Sequence, residues 1–150
     1  MISHACWQLQ TGSKQGKLGL IEGESHQGKT FALKAFQAAN NGVFILTGCP
    51  EMTKKDFIVE IAQTFNVSQT YVVKGKTRVR KDYELLKVIA ETVEKMSYPT
   101  LLIIDEACKL SNAALKFVHS LHNKLNGSMG LLLAGTPTIG RKLRKSGGFV

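Results

Sequence analysis

Residues 23–30 read Gly-Glu-Ser-His-Gln-Gly-Lys-Thr and match the pattern G-x-x-x-x-G-K-[ST]. Gly23 and Gly28 allow the backbone to wrap around an anion, so that the amide groups between them point inward. The helix beginning near Lys29 would add the positive end of its dipole. A short apolar strand, 17–22, precedes the loop and a helical segment follows it, which is the context that the pattern requires. The sequence therefore predicts a phosphate-binding loop; an ordinary glycine-rich turn before a helix is the alternative.

The loop predicts that the protein binds ATP together with Mg²⁺. Lys29 would bring a mobile positive charge to the β- and γ-phosphates during catalysis, and the Thr30 hydroxyl would ligate Mg²⁺. His26 is more readily explained as a solvent-facing loop residue than as a catalyst. We expect the whole loop to contact the nucleotide through Gly23, Glu24, Ser25, His26, Gln27, Gly28, Lys29 and Thr30.

A second motif lies at residues 101–106, where four apolar residues precede Asp105 and Glu106. A strand without polar alternation is typical of parallel sheets, in which both faces of the strand are buried. Its carboxyl end would carry the two acids to the sheet edge at which the phosphate loop also lies. Asp105 would hold Mg²⁺, through water, and Glu106 would accept a proton from the attacking water. A pair of surface acids at a strand end is the alternative.

A third segment, residues 130–137, is another apolar run that ends in a small polar residue, Thr136. In this type of sheet the strand would lie beside the strand that carries Asp105. Thr136 could then contact the γ-phosphate or the attacking water as a catalytic sensor. An ordinary turn at the end of a strand explains the same residues equally well.

Strands and helices alternate along the chain, which predicts an α/β fold with a parallel sheet flanked by helices. We divide the chain into an N-terminal extension, 1–16, and a core, 17–150. Residues 68–80 show no clear period. The predicted strands are 17–22, 43–47, 100–105 and 129–135. The predicted helices are 29–41, 81–96, 111–126 and 138–145. A further helix is predicted to begin at Thr53, which forms a capping box with Asp56.

The charge is strongly unbalanced, with 20 Lys and Arg against 11 Asp and Glu, a net charge of +9 and a pI of about 9.6. This excess favours polyanionic partners, nucleic acid before anionic membrane, although a merely basic soluble protein has the same composition. The apolar runs are far shorter than the ~18 residues of a membrane helix, and the N-terminus does not resemble a secretory signal. The three cysteines form no CxxC pair. We expect a cytoplasmic protein without a membrane partner.

A basic segment, residues 74–81, is expected to project as a loop between two helices. Lys and Arg neutralise phosphates, and no element for reading bases is visible, so we predict contact with the DNA backbone without sequence specificity. A solvated charged loop is the alternative. The predicted DNA-binding residues are Lys74, Lys76, Arg78, Arg80 and Lys81, and a second basic cluster comprises Arg141, Lys142, Arg144 and Lys145.

Three segments in this order, GESHQGKT (23–30), LLIIDEACKLS (101–111) and LLLAGTPTIG (131–140), resemble the AAA+ ATPases of DNA transposition. That group includes phage Mu transposition protein B, TniB and TnsC. The resemblance implies a P-loop NTPase fold of the AAA+ (ASCE) type. It also implies an ATP-dependent homo-oligomer, a ring or filament, that coats or encircles DNA and directs a transposase to its target.

The resemblance also implies features beyond the third motif. Proteins of this group usually continue with a fifth strand and a helical lid, and we expect the chain to be truncated before both. Their trans-acting arginine normally lies in that region, where Arg141 and Arg144 are the nearby candidates. Without it, weak or no ATP hydrolysis is expected from this chain alone. The alternatives to a transposition ATPase are a helicase loader, a replication initiator, a non-hydrolysing module whose subunits ATP holds together, and a small-molecule phosphotransferase.

Overall fold

The computed structural model describes residues 2–12, 17–24 and 27–145. Its strands are β1 (Leu18–Glu22), β2 (Val43–Thr47), β3 (Thr70–Val73), β4 (Lys76–Val79), β5 (Leu101–Asp105) and β6 (Gly130–Gly135). Its helices are α1 (Ile2–Gln10), α2 (Lys29–Ala39), α3 (Lys54–Thr64), α4 (Asp82–Glu94), α5 (Asn112–Leu125) and α6 (Thr138–Lys145), with a 3₁₀ turn at Ala107–Lys109.

The main sheet has four parallel strands in the order β1-β6-β5-β2. Every residue of β5 and β6 is buried, as the absence of polar alternation predicted. Leu102 and Ile104 face a core formed with α3, α4 and α5. Leu101 and Ile103 face a second, smaller core formed with α1 and α2. The predicted α/β fold, a parallel sheet flanked by helices, is therefore confirmed, and β6 lies beside β5 as expected.

Local capping explains where two of the helices begin. The Thr53 side chain accepts the Asp56 amide, and the Asp56 carboxylate accepts the Thr53 amide, which is the predicted capping box of α3. Hydrogen bonds from the hydroxyl and amide of Thr53 lower the pKa of Asp56, so the carboxylate stays charged at the positive end of the helix dipole. Ser111 caps α5 by a single hydrogen bond, which its side chain accepts from the Ala114 amide.

Helix α1, which the sequence did not predict, packs on the sheet and buries Cys6 and Leu9. Gln10 ties the end of α1 to the loops before β2 and β5 by donating to the carbonyls of Asn41 and Pro99. Burial raises the pKa of the Cys6 thiol to about 11, so this cysteine stays protonated and serves in packing. The N-terminal segment therefore contributes to the core.

The prediction of a loop at 74–81 is wrong, because β3 and β4 pair there as an antiparallel hairpin. Lys74 and Gly75 make its two-residue turn, and both have positive φ angles, 49° and 72°. Positive φ at both central residues is the geometry that matches the twist of a hairpin. Of the three residues before the turn and the three after it, five are exposed, including Val72 and Arg78. The hairpin therefore projects from the rest of the domain.

None of the helices in the part of the chain that the structure describes is long and apolar enough to cross a membrane.

Candidate functional site

A cavity of about 780 Å³ lies at the carboxyl ends of the central strands. It is lined by Gln27, Gly28, Lys29, Thr30, Phe31, Glu106, Cys108, Lys109, Gly135 and Thr136. These residues come from three separate stretches of the chain, the predicted phosphate loop with the start of α2, the segment after β5, and the end of β6. The topology of the parallel sheet brings them together, because the carboxyl ends of its strands share one edge.

The phosphate loop follows β1 directly, and its first amide, that of Gly23, donates to the Gly135 carbonyl at 3.1 Å. Gly28, with φ at 80°, turns the chain into α2. A side chain on Gly23 would come within 2.8 Å of the Gln27 side-chain oxygen, which is the far end of a flexible side chain and could move aside. Ser25 and His26, two of the predicted nucleotide contacts, lie outside the described residues.

The Lys29 side chain folds back along this loop. Its ammonium donates to the carbonyl oxygens of Gly23, at 2.6 Å, and Glu24, at 2.7 Å. These two contacts hold the positive charge at the wall of the cavity. An anion in the cavity would offer the ammonium stronger, charge-assisted partners than the two neutral carbonyls.

Thr30 and Asp105, 75 positions apart in sequence, are joined by a hydrogen bond of 2.6 Å from the threonine hydroxyl to Oδ2. The second carboxylate oxygen of Asp105 accepts the Glu106 amide at 2.9 Å. Asp105 is only 2% exposed. A hydroxyl and a carboxylate at this separation are the hard oxygen donors that Mg²⁺ prefers, and the open cavity beside them leaves room for water and phosphate ligands. The residues therefore fit a magnesium ion.

Glu106 follows the buried strand in a left-handed backbone conformation, with φ at 53°. Such a conformation is uncommon for glutamate and turns the chain sharply into the 3₁₀ turn. The Glu106 side chain is about one third exposed, and its Oε2 lies 3.3 Å from the ammonium of Lys109. Lys109 was not predicted as a site residue, although a basic residue three positions after an acid at a strand end was a visible signal.

Thr136 lies at the end of β6 and lines the same cavity, with its hydroxyl 2.8 Å from that of Thr138. Phe31 was not predicted as a site residue, yet it lines the cavity and is 80% exposed. An aromatic side chain left in solvent beside a cavity is suited to packing on a planar ligand such as a base. Its signal in the sequence was a large apolar residue in the first turn of α2.

The predicted DNA contacts do not line this cavity. Lys74, Lys76 and Arg78 lie in the hairpin, and Arg80 follows it with its guanidinium 5.0 Å from the centre of the Tyr71 ring. Lys81 caps α4, and its amide donates to the Glu84 carboxylate. The structure thus separates two surfaces, the cavity and the hairpin.

A parallel sheet whose first strand leads through a glycine-rich loop into a helix, with an acidic pair on a nearby strand, defines a P-loop NTPase. Strand β6 lies between β1 and β5, and this arrangement matches a P-loop AAA+ domain. The chain belongs to the AAA domain family, whose sequence model matches residues 12–143.

A solved structure supports the fold independently. Cdc6p from Pyrobaculum aerophilum superposes with a TM-score of 0.69 at 18% sequence identity. The match covers 99% of this chain but 41% of Cdc6p, so the chain spans less than half the length of that protein. No curated protein sequence matches this one.

Proposed function

We propose that the chain binds ATP with Mg²⁺ and hydrolyses it, with Glu106 as the general base. The observation that carries the proposal is the 2.6 Å contact between the Thr30 hydroxyl and the Asp105 carboxylate. This contact puts the phosphate loop and the acidic strand end at one point, where a single cation could touch both. Lys29 and Glu106 line the same cavity, so a nucleotide held there would have charge neutralisation at its phosphates and a base nearby.

Each residue has a defined task in the proposed hydrolysis. Lys29 exchanges its two carbonyl partners for phosphate oxygens, while Thr30 and Asp105 hold the cation. Mg²⁺, when bound, neutralises charge on the phosphates and fixes their orientation. Glu106 accepts a proton from the attacking water as the new P–O bond forms, and the electron pair of the broken P–O bond leaves with ADP. Thr136 orients the water or the γ-phosphate.

Thr30→Val is expected to lower ATP affinity in the presence of Mg²⁺ by roughly tenfold or more. This is the usual effect of removing an oxygen that hydrogen-bonds to, or ligates, a charged group. Affinity for ATP in the presence of EDTA should change little, because the loop amides and Lys29 remain. Titration calorimetry with and without Mg²⁺ measures both quantities. Thr30→Ser, which keeps the hydroxyl, is the matched control, and an equal loss in EDTA would argue against a metal role for Thr30.

The hairpin supports a second part of the proposal, that the protein assembles on DNA. The strand register places Lys76 opposite Val73 and Arg78 opposite Tyr71, so these four side chains share one face of the ribbon. The contact of Arg80 with the Tyr71 ring puts a third cation on that face. A row of cations on a projecting ribbon suits contact with the phosphate backbone, which needs no base readout.

A variant with Lys76, Arg78 and Arg80 changed to Ala is expected to reduce the salt dependence of DNA binding. Each phosphate contact contributes about 0.9 to the slope of log K against log salt for duplex DNA, so the slope should fall in magnitude by up to ~2.7. Fluorescence anisotropy across a salt series gives the slope. The control variant removes the same charge by changing three exposed lysines on α4 and α5 to Ala, namely Lys87, Lys116 and Lys124. Equal slopes for the two variants would exclude the hairpin from the interface.

The process served by this activity is also part of the proposal. The three motifs at 23–30, 101–111 and 131–140 resemble those of the transposition ATPases, which supports a role as a homo-oligomer in transposition or target-site selection, with a transposase as partner. The resemblance implies such an oligomer, and the projecting basic ribbon would give each copy its own contact with DNA. ATP-dependent sedimentation of the protein with DNA is the direct test of assembly.

A further inference from the structure

A second cavity, of about 290 Å³, lies between α4 and α5 on their exposed side. We call it the α4–α5 groove. Its walls are formed by Tyr83 and Leu86 of α4 and by Ala113, Lys116 and Phe117 of α5, and it shares no described lining residue with the cavity at the phosphate loop. Small-molecule sites usually have volumes of about 300–1,000 Å³. The groove is therefore suited to a side chain of another protein and is small for a whole ligand.

The floor of the α4–α5 groove is apolar. Phe117 is buried and Leu86 is half-buried, and both pack against the main core while they line the groove. Tyr83 is 67% exposed, so its ring stands at the wall of the groove in contact with water. Ala113, the second residue of α5, has a small side chain that leaves this space open. An apolar side chain of a partner would be removed from water here and stabilised in proportion to the area that it buries.

The rim of the groove is basic. At one end, the ammonium groups of Lys54 and Lys55 share the single carboxylate of Asp82, at 3.5 and 3.1 Å. On the wall formed by α5, Lys116 is exposed and forms no ion pair with any other residue that the structure describes. Three cations thus lie around the apolar floor with one carboxylate among them. Such a rim favours an anionic partner, because complementary charges steer the encounter and fix the orientation.

Two other occupants fit the groove less well. The backbone of DNA would bring phosphate charge against Phe117 and Leu86, which cannot hydrogen-bond to it. A second copy of the chain would bring a net charge of +9. Outside the groove, the exposed aromatic side chains of the described residues are Trp7, Phe31 and Tyr98, and none has a carboxylate within three residues in the sequence. An acidic segment of a different protein meets both requirements, the anionic charge and the apolar side chain.

We propose that the α4–α5 groove binds an acidic segment of a partner protein. One aromatic side chain of that segment packs against Tyr83 and Phe117, and its carboxylates lie close to Lys54 and Lys116. An amphipathic segment in a groove is a common mode of protein recognition, and aromatic side chains are frequent anchors of such interfaces. The proposal is independent of ATP hydrolysis and of the hairpin, because the groove belongs to neither surface.

A library of random peptides displayed on phage, selected on the wild-type protein and depleted on Ala113→Leu, tests the apolar part of the site. Ala113 is exposed and leucine is a good helix former, so this variant fills the groove without disturbing α5. The selected peptides are expected to carry Phe, Tyr or Trp close in sequence to Asp or Glu. The affinity of the most enriched peptide, measured by fluorescence anisotropy, should fall roughly tenfold or more in Ala113→Leu, because its aromatic side chain is excluded.

Charge variants test the rim. In Lys116→Glu the same peptide should bind roughly 2- to 25-fold more weakly, since a repulsion replaces an exposed attraction. Lys124→Glu makes the same change of charge about two turns further along α5, and Ala38→Leu adds the same side chain to an exposed position on α2. Both controls should bind the peptide as the wild type does. Thermal melting confirms that every variant is folded.

Several results would overturn the proposal. One is a selection that enriches no peptide, or enriches peptides without acidic residues. Another is a peptide that binds Ala113→Leu or Lys116→Glu as tightly as the wild type, or loses as much affinity in Lys124→Glu, which would make net charge the cause. Self-association of the wild type that Ala113→Leu abolishes, measured by analytical ultracentrifugation, would make a second copy the occupant. A loss of duplex DNA binding in Lys116→Glu equal to that of the hairpin variant would assign the groove to DNA.

Discussion

Glu106→Gln is expected to slow ATP hydrolysis by roughly 10²–10⁴-fold, the usual contribution of a positioned general base, while ATP binding is retained. The amide of glutamine has the same size as the carboxylate but cannot accept the proton of water at neutral pH. The backbone contacts of Glu106 to Asp105 and Lys109 do not involve its side chain, so they remain in the variant. Phosphate release in single turnovers, with protein in excess over radiolabelled ATP, measures the rate, and calorimetry measures the affinity.

The same experiment separates the enzyme from its alternatives. Glu91→Gln, on the exposed side of α4, removes one carboxylate of the same type away from the cavity and should leave the rate unchanged. If Glu106→Gln hydrolyses ATP as fast as the wild type, Glu106 is not the base, and a module that ATP only holds together becomes the better explanation. Transfer of the label to a small molecule instead of water would favour a phosphotransferase.

Much of the fold was predictable because its signals are local or follow from topology. The apolar run of β5 carries no polar alternation, which is typical of a strand buried on both faces. The pairing of Thr30 with Asp105 was expected in outline, since the carboxyl ends of parallel strands meet at one edge. The phosphate loop, which follows β1, and the acids at the end of β5 are therefore expected to lie close together at that edge.

The hairpin was missed because its residues do not alternate between apolar and polar. Val72 and Val79 are both 69% exposed, so burial does not impose a pattern on them. The turn at Lys74-Gly75 was the available signal, because β-branched residues flank a glycine that takes a positive φ.

The contacts around Glu106 were not predictable from the sequence for a different reason. Its carbonyl oxygen packs so closely against Gly48 that a side chain there would come within 2.4 Å, and the two residues are 58 positions apart along the chain. No periodicity or short motif encodes a contact of that kind. The ion pair with Lys109 is local, but its importance depends on the cavity, which only the assembled sheet creates.

Lys29→Ala is expected to raise the dissociation constant for ATP by roughly 30-fold or more, since truncating one partner of a largely desolvated charge pair costs at least about 2 kcal/mol. The fold should tolerate the change, because among the described residues the ammonium donates hydrogen bonds to the carbonyls of Gly23 and Glu24 alone, beside an open cavity. Calorimetry with ATP, ADP and AMP locates the effect. A charge that serves the β- and γ-phosphates predicts a large loss for ATP and ADP and little loss for AMP.

Lys34→Ala is the matched control, because it removes the same charge from an exposed position on the same helix, α2. Its affinity for ATP should equal that of the wild type, which would show that net charge is not the cause. Thermal melting of both variants guards against an effect of unfolding. If Lys29→Ala binds ATP as the wild type does, then the ammonium is not at the phosphates, and the proposals for Thr30, Asp105 and Glu106 lose their common basis.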